Sequence, residues 1–137
     1  MIPIPNHSPL SAQSLEASLT TADVRRSREW YRDVLGFVVD REFEREGAMF
    51  AVSMRAGQVR ILLTQDDGGK GAERRKGDGF SLQLTTDQDI DSIAPAAKEA
   101  GAALDTEPTS MWGVRAFRLR DPDGFRWTIS SPRQTTP

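Results

Sequence analysis

The chain of 137 residues is long enough for one compact domain but too short for two that fold independently. Its 20 acidic and 18 basic side chains nearly balance, which argues against a nucleic acid or an anionic membrane as partner. The sequence has no cysteine, which excludes disulfides, thiolate metal sites and a cysteine nucleophile. No apolar run is long enough to cross a membrane and residues 1–10 lack signal-peptide features, so we expect a cytoplasmic protein.

The first periodic segment follows an arm rich in proline. Residues 1–14 have no hydrophobic period, and we expect an extended arm that is mobile or lies across a neighbouring surface. Residues 15–21 alternate between two faces, which predicts a strand. Its apolar face carries Leu15, Ala17, Leu19 and Thr21, and its polar face carries Glu16, Ser18 and Thr20.

The next segment has the marks of a helix start, a buried stripe and a helix end. Asp23 is suited to accept hydrogen bonds from the first-turn amides, and Gly36 is suited to the left-handed end of a helix. Between them an apolar stripe recurs at the helical period. Its members are Val24, Ser27, Trp30, Tyr31, Val34 and Leu35.

Three further strands complete the first half of the chain. Alternation and turn residues predict strands over 37–44, 48–55 and 58–65. The order of this half is therefore β-α-β-β-β. Residues 66–78 are polar and glycine-rich, which favours a linker over the alternative of a mobile flap above a site.

The second half repeats the same order. A strand over 80–85 precedes a helix that we place from about Asp91 or Ser92, because Pro95 is best tolerated in the first turn. Gly101 ends that helix, and strands follow over 102–107, 112–120 and 125–131.

The repeat predicts an α+β fold of two tandem β-α-β-β-β modules. We expect curved mixed sheets around a central cavity, with the helices outside. The predicted domain spans 15–131, divided into module one (15–65), the linker (66–78) and module two (79–131). Residues 132–137 form a C-terminal tail.

Motifs in both halves resemble those of the vicinal-oxygen-chelate superfamily, which includes glyoxalase I, extradiol dioxygenases, and fosfomycin- and bleomycin-resistance proteins. In the first half the resemblance rests on Asp23 with the run Trp-Tyr-Arg-Asp-Val-Leu-Gly-Phe over 30–37. In the second half it rests on Ile90-Asp91 to Ala100-Gly101 and on Asp-Pro-Asp-Gly-Phe over 121–125. It implies the two-module fold and a ligand cleft that is commonly formed across a dimer.

The resemblance also implies a divalent metal in the enzymes of the family, held by a histidine on the first strand, a ligand on the matching strand and a glutamate on the last strand. The corresponding positions here are Glu16, Ser81 or Gln83, and Thr128, of which only Glu16 is a good ligand. The single histidine, His7, lies in the arm. We therefore expect no cofactor and no tight metal site, with a weakly held divalent cation as the alternative.

Strand alternation places a set of polar side chains on the cavity side of the two sheets. An open sheet with polar residues facing water is an equally good interpretation, but the internal repeat favours the cavity. Trp112 follows a turn-like approach to a strand and could stack on a planar ligand. The predicted ligand-binding residues are Glu16, Ser18, Thr20, Ser81, Gln83, Trp112, Arg126 and Thr128.

Several alternatives stay open at this point. Glu16 is either an anchor for a cationic ligand or the ion-pair partner of Arg126. Trp30 and Trp127 lie on apolar stripes and are predicted to be core residues. Arg60, Thr64 and Arg115 are candidates for the rim, although a bulge would reverse their direction.

The leading hypothesis is a homodimeric protein that binds a small organic molecule in a polar cleft without metal catalysis. The alternative is an enzyme of the same superfamily, a lyase, isomerase or dioxygenase, with Glu16 as catalytic general base or weak metal ligand. A third hypothesis is an interaction module whose cleft is filled by side chains or by the arm.

Overall fold

The structure, a computed structural model, describes residues 9–69, 71 and 75–132, so His7, most of the predicted arm and most of the tail lie outside the described residues. The first module contains β1 (Ala17–Thr21), α1 (Val24–Leu35), β2 (Val38–Arg45), β3 (Ala48–Ala56) and β4 (Val59–Gln65). The second contains β5 (Leu82–Thr85), α2 (Ile90–Glu99), β6 (Leu104–Met111), β7 (Val114–Arg120) and β8 (Arg126–Ser131). The predicted tandem β-α-β-β-β order is confirmed.

Each module forms one four-stranded mixed sheet. The strand order is β1-β4-β3-β2 in the first sheet and β5-β8-β7-β6 in the second. In both, the strand before the helix pairs in parallel with the last strand of the module, and the other pairs are antiparallel. The α+β fold class follows, with β1 and β5 at the edges of their sheets.

Helix α1 has the predicted ends. The Asp23 side chain accepts hydrogen bonds from the amides of Arg25 (3.1 Å) and Arg26 (3.2 Å). At the other end Gly36 has a φ of 74°, a conformation that glycine adopts without steric cost, and its amide donates to the Tyr31 carbonyl.

Helix α2 begins earlier than predicted. Its first residue is Ile90, Asp89 caps it by accepting from the Asp91 amide at 3.3 Å, and Pro95 lies inside the helix. The helix therefore begins one residue before the predicted start near Asp91 or Ser92. The cap and the complete burial of Ile90 outweigh the cost of a proline in the second turn.

The hairpin between β6 and β7 is longer than predicted. Strand β6 continues to Met111, and Trp112 (φ 56°) and Gly113 (φ 80°) form the turn rather than the start of a strand. The β2–β3 hairpin has the same arrangement at Glu46 (φ 52°) and Gly47 (φ 79°). Turns of this kind follow the twist of the two strands but need positive φ at both residues.

One hydrophobic core joins the two modules. The rings of Tyr31 and Phe37 from the first module both pack edge-on against Trp127 of β8, at centroid distances of 5.8 and 6.0 Å. The helices contact each other as well as their own sheets. Trp127 is buried and Trp30 packs at the margin of this core, which agrees with their predicted core role.

The two sheets do not close on each other, whereas the sequence predicted curved sheets around a central cavity. Their apolar faces pack on the helices and the shared core, so the polar face of each sheet lies on the opposite side from that core. Neither helix in the described part of the chain is long and apolar enough to cross a membrane.

A buried polar cluster, formed by Tyr31, Asp121 and Trp127, ties α1 to the second sheet. The Tyr31 hydroxyl donates to Asp121 Oδ2 at 2.5 Å and accepts from Trp127 Nε1 at 3.0 Å. Asp121 Oδ1 accepts from the amides of Asp123 and Phe125. Burial raises the pKa of the Tyr31 hydroxyl, with the nearby Asp121 carboxylate adding to the effect, and burial also raises the pKa of Asp121.

The end of the predicted linker is held against both modules. Lys76 Nζ lies 2.9 Å from Asp66 Oδ2 and 3.7 Å from Asp123 Oδ1, with the Lys76 side chain 9% exposed. Asp123 Oδ1 also accepts from the Ala22 amide at 2.8 Å. Gly77 lies directly against the backbone of Gly124 and Phe125. The loop that follows β1 and the turn between β7 and β8 are therefore fixed to each other.

Candidate functional site

A row of polar side chains crosses the polar face of the second sheet. Gln83 on β5 is the register partner of Thr128 on β8, and Thr128 is the partner of Arg118 on β7. The amide of Gln83 lies within hydrogen-bond distance of Ser81 Oγ (2.9 Å) and of Thr128 Oγ1 (3.5 Å). The face thus presents amide, hydroxyl and guanidinium groups side by side.

A hollow of about 400 Å³ lies over this row and extends to the β6–β7 hairpin. We call it the hairpin cleft. Arg118 is the one charged residue among its described lining residues. The others are neutral: Gln83, Thr106, Thr109, Met111, Trp112, Val114, Ala116, Thr128 and Ser130.

The lining of the hairpin cleft changes from apolar to charged along β7. Val114, Ala116 and Arg118 share one face of the strand, so the cleft floor runs over roughly 13 Å from an apolar end to a charged end, at about 3.3 Å per residue. Ala116 leaves room in the middle. At the apolar end Trp112 is 91% exposed and Met111 51% exposed.

Six of the eight predicted ligand-binding residues are distributed over three adjoining hollows. Gln83, Trp112 and Thr128 line the hairpin cleft, while Ser81 and Arg126 line a neighbouring hollow of about 200 Å³ together with Gln83 and Thr128. Glu16 borders a third hollow of about 480 Å³, where the edge of the first sheet meets β5, and Ser81 and Gln83 border it too.

Ser18 and Thr20 lie elsewhere. They pair with Leu62 and Thr64 in the first sheet and line none of these three hollows. The predicted polar alternation of β1 is nevertheless present, because Leu19 and Thr21 are buried while Ser18 is exposed. Leu15, predicted on the apolar face, precedes the strand and is 95% exposed.

Arg126 is bound to the end of the linker rather than to Glu16. Its guanidinium donates to the Gly77 carbonyl at 3.4 Å, and the described residues contain no ion pair between Arg126 and Glu16. Arg115 does not reach the rim, because it lies on the opposite face of β7 and pairs with Asp91 of α2 at 2.9 Å.

Arg118, Thr106 and Thr109 were missed from the sequence. For Arg118 a signal was present: it stands between the apolar residues Phe117 and Leu119, so strict alternation places it on the polar face, and the structure buries both neighbours fully. For Thr106 and Thr109 there was none, since the register of β6 shifts on both sides of Thr106 and the strand was predicted to end at Glu107.

The family's metal positions do not form a good donor set here. Gln83 and Thr128 are neutral amide and hydroxyl groups that contact each other, and Glu16 is the single carboxylate among these positions. In the described part of the chain no three histidine, cysteine, aspartate or glutamate residues come together as a metal site.

A family model described as the glyoxalase/bleomycin resistance protein/dioxygenase superfamily matches residues 13–129. The chain belongs to this superfamily, and the expected family is confirmed. No curated protein sequence is significantly similar to it.

Solved structures share the fold at low sequence identity. TnmS3, an antibiotic binding protein from Streptomyces sp. CB03234, is 19% identical in sequence and has a TM-score of 0.72. The match covers 93% of this chain and 100% of the TnmS3 chain. TioX from Micromonospora sp. ML1 is 18% identical, with a TM-score of 0.70 and 89% and 100% covered. A glyoxalase/bleomycin resistance protein/dioxygenase family enzyme from Burkholderia phytofirmans PsJN is 21% identical, with a TM-score of 0.67 and 86% and 97% covered. The fold thus hosts both a binding protein and an enzyme.

Proposed function

We propose that this protein binds a small organic molecule in the hairpin cleft, without metal catalysis. The observation that carries the proposal is the cleft itself: its volume of about 400 Å³ lies in the range of small-molecule sites, roughly 300–1,000 Å³. It combines apolar surface with a few convergent polar groups, as such sites do. The antibiotic binding protein TnmS3 is a precedent for binding on this fold.

Trp112 supports a binding role because the fold has no need of it. It is 91% exposed, so it adds little to the core, and its φ of 56° is unfavourable for a bulky side chain. Asparagine before glycine would suit this turn better. A large flat ring at the mouth of a cleft is, in contrast, well placed to stack on a ligand.

The test is a thermal-shift screen of a small-molecule library, including antibiotics, with the wild type, the Trp112→Asn variant and the Glu46→Asn variant. A ligand present at 100 times its Kd stabilises the folded state by about 2.7 kcal/mol and raises Tm. We expect hits whose shift is lost in Trp112→Asn, although this variant alone should be at least as stable as the wild type.

Glu46→Asn is the matched control, because Glu46 occupies the corresponding turn position in the first module. It should retain the shifts seen with the wild type. If no compound stabilises the wild type, or if Trp112→Asn retains every shift, the proposed cleft is wrong.

We further propose that the protein is a homodimer in which a second copy covers the polar face of one sheet. Both sheets are open on that face, and the resemblance described above implies clefts completed by a second chain. Light scattering coupled to size-exclusion chromatography should give twice the chain mass of 15.2 kDa. A monomeric mass at micromolar concentration would contradict this part of the proposal.

A further inference from the structure

We infer that the ligand is a planar, mainly apolar molecule with an anionic group at one end, and that Arg118 selects it. This inference rests on the proposed function, which it refines from a small organic molecule to one chemical class. The inferred ligand charge is negative, whereas the prediction that Glu16 anchors the ligand required a positive charge.

Arg118 differs from Arg115 and Arg120 on the same strand because its guanidinium has no partner among the described residues. No hydrogen bond or ion pair of its side chain is present among the described residues, whereas Arg115 pairs with Asp91 and Arg120 with Asp105 at 3.0 Å. An arginine that pairs with no protein group can offer its planar set of donors to a carboxylate.

The surroundings of Arg118 favour an anion. The described lining of the hairpin cleft has no acidic residue, and Glu16 borders a different hollow. The neighbouring hollow that Arg118 also lines contains Arg126 and Asp105, but the Asp105 carboxylate is already paired with Arg120. The uncompensated charge at this end of the cleft is therefore positive.

The opposite end of the cleft indicates that the rest of the ligand is apolar and planar. Trp112, Met111 and Val114 present apolar surface with an indole ring at its margin. Ala116 lies between this surface and Arg118 without blocking the floor. A flat ring system about 10 Å long, with its charge at one end, would contact the apolar end and Arg118 together, since the floor spans roughly 13 Å.

The experiment compares three probes with the same ring and different charge: 2-naphthoate, 2-naphthamide and 2-naphthylmethylammonium. Their Kd values are measured by calorimetry, with wild type, Arg118→Gln, Arg118→Lys and Arg25→Gln. Arg25 is the matched control because it is exposed on α1 and lines none of the three hollows.

For the wild type we expect naphthoate to bind about tenfold more tightly than the amide, and the ammonium to bind most weakly. Arg118→Gln should abolish the preference, Arg118→Lys should restore part of it, and Arg25→Gln should leave it unchanged. Added salt should weaken naphthoate binding in the wild type and leave amide binding nearly constant. A purely structural role of Arg118 would not produce this charge-dependent pattern.

Equal binding of the three probes, or tighter binding of the ammonium, would overturn the inference and leave the proposed function standing. A naphthoate preference that survives in Arg118→Gln would also overturn it. If none of the probes binds while the library screen yields hits whose shift is lost in Trp112→Asn, the anionic planar class is wrong and the proposed cleft stands. The proposed function itself fails only if that screen fails.

Discussion

Replacing Asp121 by alanine is expected to lower the free energy of unfolding by about 3–4 kcal/mol, because it leaves several buried polar groups without partners at once. Asp121 is 5% exposed and accepts from two backbone amides and from the Tyr31 hydroxyl. Urea unfolding followed by circular dichroism measures the loss. Asp105→Ala is the control, since Asp105 is an exposed partner of Arg120 and its loss should cost less than about 1 kcal/mol.

The Asp121→Asn variant tests the same cluster through pH. Burial raises the pKa of Asp121 in the folded protein, so its carboxyl binds a proton more tightly folded than unfolded. Protonation of Asp121 therefore stabilises the folded state. This stabilisation is complete at pH values below the pKa of Asp121 in the unfolded chain, and it is lost as the pH rises through the pKa in the folded protein.

The other carboxyl groups titrate in both proteins and cancel in the comparison. We therefore expect the wild type to gain stability relative to Asp121→Asn as the pH is lowered from neutral toward the ordinary pKa of aspartate, about 4. A difference that stays constant, or that shifts in favour of Asp121→Asn on acidification, would show that Asp121 does not titrate as described.

Gly77→Ala is expected to cost about 2–4 kcal/mol, from the combined effect of a steric clash and a positive φ. A Cβ atom on Gly77 would lie 2.8 Å from the Gly124 carbonyl oxygen and 3.1 Å from Phe125 Cα, and both are backbone atoms that cannot move aside as a flexible side chain would. The φ of Gly77 is 80°.

Gly79→Ala separates the two effects. Gly79 has a similar φ of 85°, but a Cβ atom there would meet nothing within 4 Å. Its alanine variant should therefore lose only about 1 kcal/mol. Urea midpoints for the pair give the difference directly, and equal losses would show that the linker end does not pack tightly against the β7–β8 turn.

The fold could be predicted largely from local signals. Asp23 and Gly36 mark the ends of α1, and alternating residues such as Leu19 and Trp127 mark the buried faces of their strands. These features depend on near neighbours in the chain, so a sequence contains them directly. Pro95 was misleading because the burial of Ile90, a tertiary effect, decides where α2 starts.

The site was less predictable because it depends on contacts between strands. That Thr128 lies between Gln83 and Arg118, on three neighbouring strands, follows from register rather than from composition. The separation of Glu16 from the hairpin cleft follows from how the two sheets are placed. The roles of the eight predicted ligand-binding residues stay predictions until a ligand is bound.

The β7–β8 turn links the second module to the first through two of its aspartates. Asp121 reaches into the first module through Tyr31, and Asp123 reaches it through the Ala22 amide. Separated from its partner, either half would expose part of an aromatic core and several unpaired polar groups. We therefore expect the two modules, although they repeat in sequence, to unfold together in one cooperative transition, and neither half to fold alone.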